Sequence, residues 1–125
     1  MAKNRVRIDG RYPRLNVSAV NGSGAADIVK SGDPGAVGQL PFVALTDEDA
    51  SGLATGDTAG VYNLAVFGHD GTANAAIAVG DLVVWDNTGG TLEKTPGSAS
   101  SVRFGYALAV VNSGATTTIP VKVGY

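Results

Sequence analysis

The one histidine, His69, stands in Gly68-His69-Asp70-Gly71, where an imidazole beside a carboxylate is the first place to look for acid–base chemistry. A serine–histidine–aspartate set would need its nucleophile on a strained turn, and no Gly-x-Ser-x-Gly occurs. Asp70-Gly71 reads instead as a hairpin tip with His69 beside it. One histidine and no cysteine cannot assemble the usual zinc sets. Asp47, Asp49, Ser51 and Gly52 match the first, third, fifth and sixth positions of a calcium loop. The twelfth position is Thr58, where a bidentate glutamate is required, so the stretch reads as an acidic surface turn. None of Lys3, Lys30, Lys94 and Lys122 follows a glycine, which excludes a phosphate loop. Gly22-Ser23-Gly24 opens like a dinucleotide fingerprint, but Asp27 occupies the place of its third glycine. The expectation is a non-enzyme without catalytic residues, cofactor or metal.

Charge is the other resource for binding, and it is unevenly placed. Residues 1–14 carry Lys3, Arg5, Arg7, Arg11 and Arg14 against Asp9, a net of +4. The whole chain carries −2, so the other 111 residues carry −6. A basic end on an acidic body predicts docking through that end, with Lys3, Arg5, Arg7, Arg11, Tyr12 and Arg14 as the candidate contacts. Nucleic acid is disfavoured as the partner, because an acidic body repels phosphate and only Tyr12 is present in the basic segment to stack on a base.

The elements that would position these residues are strands. The 125 residues suffice for one core, and the chain divides into a basic N-terminal arm, 1–14, and a single all-β domain, 15–125. Eighteen glycines scattered among valine- and threonine-rich runs imply many turns between short strands. Alternation predicts strands over 5–9, 15–20, 82–86 and 91–95, a short apolar strand over 40–45, and a central strand buried on both faces over 60–67. Residues 102–111 should place Val102, Phe104, Tyr106, Leu108 and Val110 on one face. Thr117, Ile119, Val121, Val123 and Tyr125 form the matching face of the last strand, where Pro120, lacking an N–H, argues for an edge or a bulge. Large apolar groups near that edge make the Val102–Val111 or the Val121–Tyr125 strand the expected oligomer interface, with Val121, Val123 and Tyr125 as the candidate residues. Thr46 could cap one helical turn at most. Gly32-Asp33, Gly56-Asp57 and Gly80-Asp81 read as three turns, and Asn21-Gly22 as a fourth. The expected fold is a small antiparallel β-sandwich or barrel of about seven to eight strands with an extended N-terminal arm.

Residues 1–7 run into no apolar h-region, and no apolar run approaches the ~18 residues of a membrane span. The chain is therefore expected to be soluble, away from membranes, and to stay where it is made or leave inside something larger.

The order of motifs carries a resemblance. Ser31-Gly32-Asp33-Pro34 is followed by Gly38-Gln39-Leu40 and by Val43-Ala44-Leu45-Thr46-Asp47. Gly60-Val61-Tyr62-Asn63-Leu64-Ala65-Val66 and Ile77-Ala78-Val79-Gly80-Asp81-Leu82-Val83-Val84-Trp85-Asp86 follow, and Phe104-Gly105-Tyr106-Ala107-Leu108 leads into the last strand. Over residues 28–125 this series resembles the small capsid decoration (cement) proteins of tailed bacteriophages, a family that also carries a recombinase label for which this chain offers no phosphate loop. The resemblance implies a virion protein, made in the host bacterial cytoplasm, that binds the outer capsid surface. Its implied partners are the major capsid protein and further copies of itself, a trimer being the first expectation, and it would reinforce contacts between shell subunits. The competing reading is an adhesion module for carbohydrate, using exposed aromatics among Trp85, Tyr12, Tyr62 and Tyr125, although Trp85 between Val84 and Asp86 reads as core.

Overall fold

Side chains that alternate along β-branched runs place every second residue inside a barrel. The computed structural model describes residues 11–18, 29–87, 89–98 and 101–124, which form nine strands and no helix. Four of them, β1 (Arg14–Asn16), β2 (Pro34–Val37), β3 (Leu40–Ala44) and β4 (Leu53–Asp57), make a sheet in the order β1-β4-β3-β2. The other five, β5 (Gly60–Phe67), β6 (Leu82–Asp86), β7 (Thr91–Lys94), β8 (Ser101–Ala107) and β9 (Thr116–Val123), close into a barrel in the order β5-β7-β6-β8-β9. Pairing is antiparallel except where β5 meets β7, a parallel contact through Val66↔Leu92 and Phe67↔Glu93.

The all-β barrel is as expected, with differences that have physical causes. β2 and β4 were not anticipated, because their glycines and Pro34 read as turn signals. Gly56-Asp57 is the end of β4, whereas in the other two pairs Asp33 and Asp81 do close turns, accepting hydrogen bonds from Lys30 N–H and Ala78 N–H at 2.9 Å. β5 is not buried on both faces: Leu64 and Val66 point inward while Val61 and Ala65 are exposed. No helical turn forms at Thr46, whose hydroxyl accepts the Thr55 N–H at 3.0 Å. The predicted strand over 5–9 and the Asn21-Gly22 turn lie outside the described residues.

The barrel closes at a bulge. Val83 pairs with Gly105 but Val84 with Arg103, so β8 carries one extra residue, Phe104, against β6. The bulge shifts the alternation: Val102 and Phe104 face inward, and so does Ala107, in place of Tyr106 and Leu108. Regular pairing of β8 also ends at Ala107, four residues short of the expected strand. Gly105 is required here, because a Cβ on it would lie 1.9 Å from the Lys122 carbonyl oxygen on β9.

β9 pairs with β5 along its whole length and with β8 at Val121–Val123, so it is no edge strand. Pro120 is nonetheless tolerated. Its carbonyl accepts the Leu108 N–H at 3.0 Å, just past the end of β8, and its ring nitrogen faces that same side, where the ladder has stopped. The core is formed by Phe42 and Val43 from the sheet and by Val66, Val83, Trp85, Leu92, Phe104, Ile119, Val121 and Val123 from the barrel. Trp85 is fully inside, its Nε1–H donating to Asn87 Oδ1 at 2.8 Å.

Candidate functional site

The candidate docking residues enter the structure through β4. Residues 11–14 run antiparallel to that strand: Arg14 pairs with Thr55, Gly56 N–H donates to Pro13 O at 3.0 Å, and Thr58 donates to Arg11 O from both its N–H (2.9 Å) and its hydroxyl (2.8 Å). The folded body therefore includes Arg11–Arg14.

This anchoring carries Arg11 onto a buried carboxylate. Arg11 Nε lies 2.7 Å from Asp57 Oδ1 and Nη2 lies 3.0 Å from Oδ2, a two-pronged ion pair of fixed geometry. Ala59 N–H adds a bond to Oδ1 at 3.1 Å, and the Tyr62 hydroxyl donates a short bond to Oδ2. The Asp57 side chain is 1% exposed, and each of its oxygens accepts two hydrogen bonds. Burial pushes the Asp57 carboxyl up, but the bonds from Arg11, Tyr62 and Ala59, with the Arg11 charge, outweigh it and hold the group below the usual aspartate range. Burial first, and then the bond to Asp57, pushes the Tyr62 hydroxyl up to about 12. The hydrogen bond to Asp57 likewise raises the Arg11 guanidinium above its ordinary value. A carboxylate so fully occupied has no lone pair left to take a proton from a substrate, so the cluster fastens the chain and does no acid–base work. Gly60 makes the fit possible: its φ is +107° and a Cβ there would lie 2.7 Å from Arg11 Nη2.

Arg14 is also paired, Nη2 to Asp49 Oδ2 at 2.5 Å, although both side chains stay substantially exposed. Asp49 is held below the ordinary aspartate range by the Leu53 N–H and, further, by the Ser51 N–H and Arg14. Tyr12 is 36% exposed, with the Arg11 guanidinium 5.1 Å from its ring centre. Two of the five cations in the basic segment are thus spent on the body. Lys3, Arg5 and Arg7 lie outside the described residues.

The remaining sequence candidates are placed as follows. Val121 and Val123 are wholly enclosed in the barrel, each packed in the core, so burial withdraws both side chains from any outward face; Tyr125 lies outside the described residues. In the alternative stretch, Val102–Val111, Leu108 and Val110 do reach the surface. The chain at Ile77–Asp81 runs antiparallel to Ala107–Val111, through the Ile77↔Val111 bridge and the Gly80 N–H to Ala107 O bond, and this brings Val79, Leu108 and Val110 to the surface at 62%, 41% and 59% exposure. Trp85 and Tyr62 are committed to the core and to Asp57, which removes two of the four aromatics a sugar site would have used.

His69 sits beside a turn as expected. Its Nδ1 accepts the Gly71 N–H at 2.9 Å and its ring stacks on Phe67 at 5.0 Å. Its nearest carboxylate oxygen, Glu93 Oε2, is 3.6 Å away. No group of three or more potential metal ligands exists among the described residues, and no helix there is long and apolar enough to cross a membrane.

Asp57 and Tyr62 were missed by sequence reasoning. The Gly56-Asp57 pair read as a turn, and the available signal was weaker: a lone carboxylate and a tyrosine, five residues apart, on either side of the glycine that opens β5.

The sequence pattern of the phage cement protein family matches residues 17–123. No curated protein and no solved structure matches the chain. The match spans β2 to β9 and begins just after β1, which is more than half of the chain and nearly all of its folded body. The chain therefore belongs to the phage cement protein family, whose role is structural and whose place is the virion capsid.

Proposed function

We propose that this protein binds the outer surface of an assembled phage shell, stabilises contacts between major capsid proteins there, and catalyses nothing. The observation that carries the reading, beside the family, is the anchoring of a cationic N-terminal segment on an acidic body through Arg11 and Asp57. Arg11 and Arg14 are paired internally, and Lys3, Arg5 and Arg7 are the charges proposed to meet shell carboxylates. Such a segment can also add a strand to a capsid edge. Each exposed ion pair contributes only ~0–1 kcal/mol, so useful affinity requires several copies acting together.

Self-association supplies that multiplicity. The exposed Val79, Leu108 and Val110 are the apolar groups offered for it, and a trimer is the arrangement proposed. The host bacterial cytoplasm is where the chain would be made, with the major capsid protein as its partner and neither nucleic acid nor membrane involved.

Removing residues 2–10 tests the reading while leaving the Arg11–Asp57 pair in place. The shortened protein is expected to fold and to stop adding to purified capsids. Full capsid occupancy by the shortened protein would refute the assignment of the shell contact.

A further inference from the structure

We infer that His69 and Glu93 form a proton-operated latch on the turn at residues 69–73, in which a second proton on the ring transfers His69 Nδ1 from the Gly71 N–H to the Glu93 carboxylate. Two observations meet here. The Glu93 side chain is only 8% exposed; its Oε1 accepts the Thr91 hydroxyl at 2.9 Å, while its Oε2 accepts no hydrogen bond among the described residues. A buried acceptor without a donor is uncommon and costly. His69 Nδ1 stands 3.6 Å from that same oxygen, beyond hydrogen-bond distance, and accepts the Gly71 N–H at 2.9 Å. An accepting Nδ1 places the proton of the neutral ring on Nε2, so Nδ1 has nothing to donate to Glu93.

Protonation reverses this. His69 is 24% exposed, so solvent can supply the proton. The proton bonds to Nδ1, uses the lone pair that held Gly71, and makes both ring nitrogens donors. A movement of about 0.8 Å then brings Nδ1 to Oε2 at the length of a charge-assisted hydrogen bond. The ring lies within 4° of parallel to that of Phe67, a stacking that in-plane movement preserves. The rest of the turn keeps its bonds, since the Thr72 and Ala73 N–H groups both donate to Asp70 Oδ1 at 2.9 Å. Gly71 alone changes partner. Its backbone lies so close to Gly97 that a Cβ on it would be 2.2 Å from the Gly97 carbonyl carbon, so its release loosens that contact. The other charged groups around the ring are Asp70, held by its own turn, and Lys94, held by Ala76 O at 3.1 Å and lying 3.6 Å from Asp81 Oδ2. Asp86 and Arg103, of opposite sign, share the Glu93 face on the neighbouring strands β6 and β8. The latch belongs to the free protein and is independent of shell binding.

The test is NMR on the isotope-labelled full-length protein, without capsid, between about pH 8 and about pH 5, where histidine changes charge. At the upper end a coupling across the hydrogen bond from Gly71 N to an unprotonated His69 Nδ1 is expected. At the lower end that coupling should vanish and Nδ1 should carry a proton. Exchange of the Gly71 amide, corrected for its intrinsic pH dependence, should rise while Thr72 and Ala73 stay protected. The Glu93 carboxyl signal should move together with the ring, and Glu93→Gln should need a lower pH for the same change. Persistence of the coupling throughout, a proton on Nδ1 at the upper end, or a Glu93 signal that does not follow the ring overturns the inference. An unaltered pH dependence in folded Glu93→Gln overturns it too; if that variant does not fold, the Glu93 signal of the parent decides.

Discussion

Arg11 grips Asp57 across 46 positions of sequence, Nε on Oδ1 and Nη2 on Oδ2, and so ties residues 11–14 to the acidic body. One face of this pair is solvent-exposed guanidinium and the other is a fully buried carboxylate. Its disruption should be felt in stability.

Asp57→Ala leaves the Tyr62 hydroxyl and the Ala59 N–H without their acceptor. The expected loss is about 2–4 kcal/mol in urea unfolding, with little change in the slope against denaturant. Arg11→Lys should lose less, because the ammonium keeps the charge but cannot make both contacts. Equal stability of Asp57→Ala and the parent would contradict the role given to the pair.

Stability should depend on pH at both extremes. The Asp57 carboxyl is depressed in the folded state, so its contribution is complete above the ordinary aspartate value, ~3.9, and is lost as pH falls through the lower folded value. Asp49 and Asp70, held low chiefly by backbone N–H groups, act in the same direction. Tyr62 is raised to about 12, so its contribution is complete below the ordinary tyrosine value, ~10, and is lost as pH climbs from there through 12. Urea midpoints measured across pH should fall at both ends, and Asp57→Asn should soften both falls.

Gly105→Ala would drive a methyl group into the Lys122 carbonyl and part β8 from β9 at the closure of the barrel. A loss of about 3 kcal/mol or more is expected, at the upper end of overpacking penalties because the obstacle is backbone. A far smaller change in thermal midpoint would mean that the two strands are not this close.

Self-association through the exposed Leu108 and Val110 predicts that Val110→Asp shifts the protein toward monomer in sedimentation at micromolar concentration. The side chain is 59% exposed, so folding should be little affected. A parent protein that is already monomeric would remove the basis for the proposed trimer.

Much of the barrel was legible because Ile119, Val121 and Val123 alternate without interruption and β-branched residues dominate β9. The same alternation misled at β8, since a bulge at Phe104 is set by the register with β6 and leaves no mark on the local pattern. Val121 and Val123 show the related difficulty. An apolar face near a proline suggests an edge, yet closure by β5 on one side and β8 on the other is a long-range fact. Arg11 and Arg14 were correctly seen as cations at a chain end, but their pairing with Asp57 and Asp49 depends on β1 lying beside β4. Residues 35 or more apart in sequence give no local sign of such contact.

The central claim is that Lys3, Arg5 and Arg7 carry this cement protein to its shell from a root fixed by Arg11 and Asp57. Its most direct test is cosedimentation with purified capsids of the parent and of a variant with Lys3, Arg5 and Arg7 all changed to glutamate. The account predicts saturable binding by the parent that weakens as salt rises, and loss of that binding in the folded variant. Undiminished binding by the variant, with no dependence on salt in either protein, would contradict it.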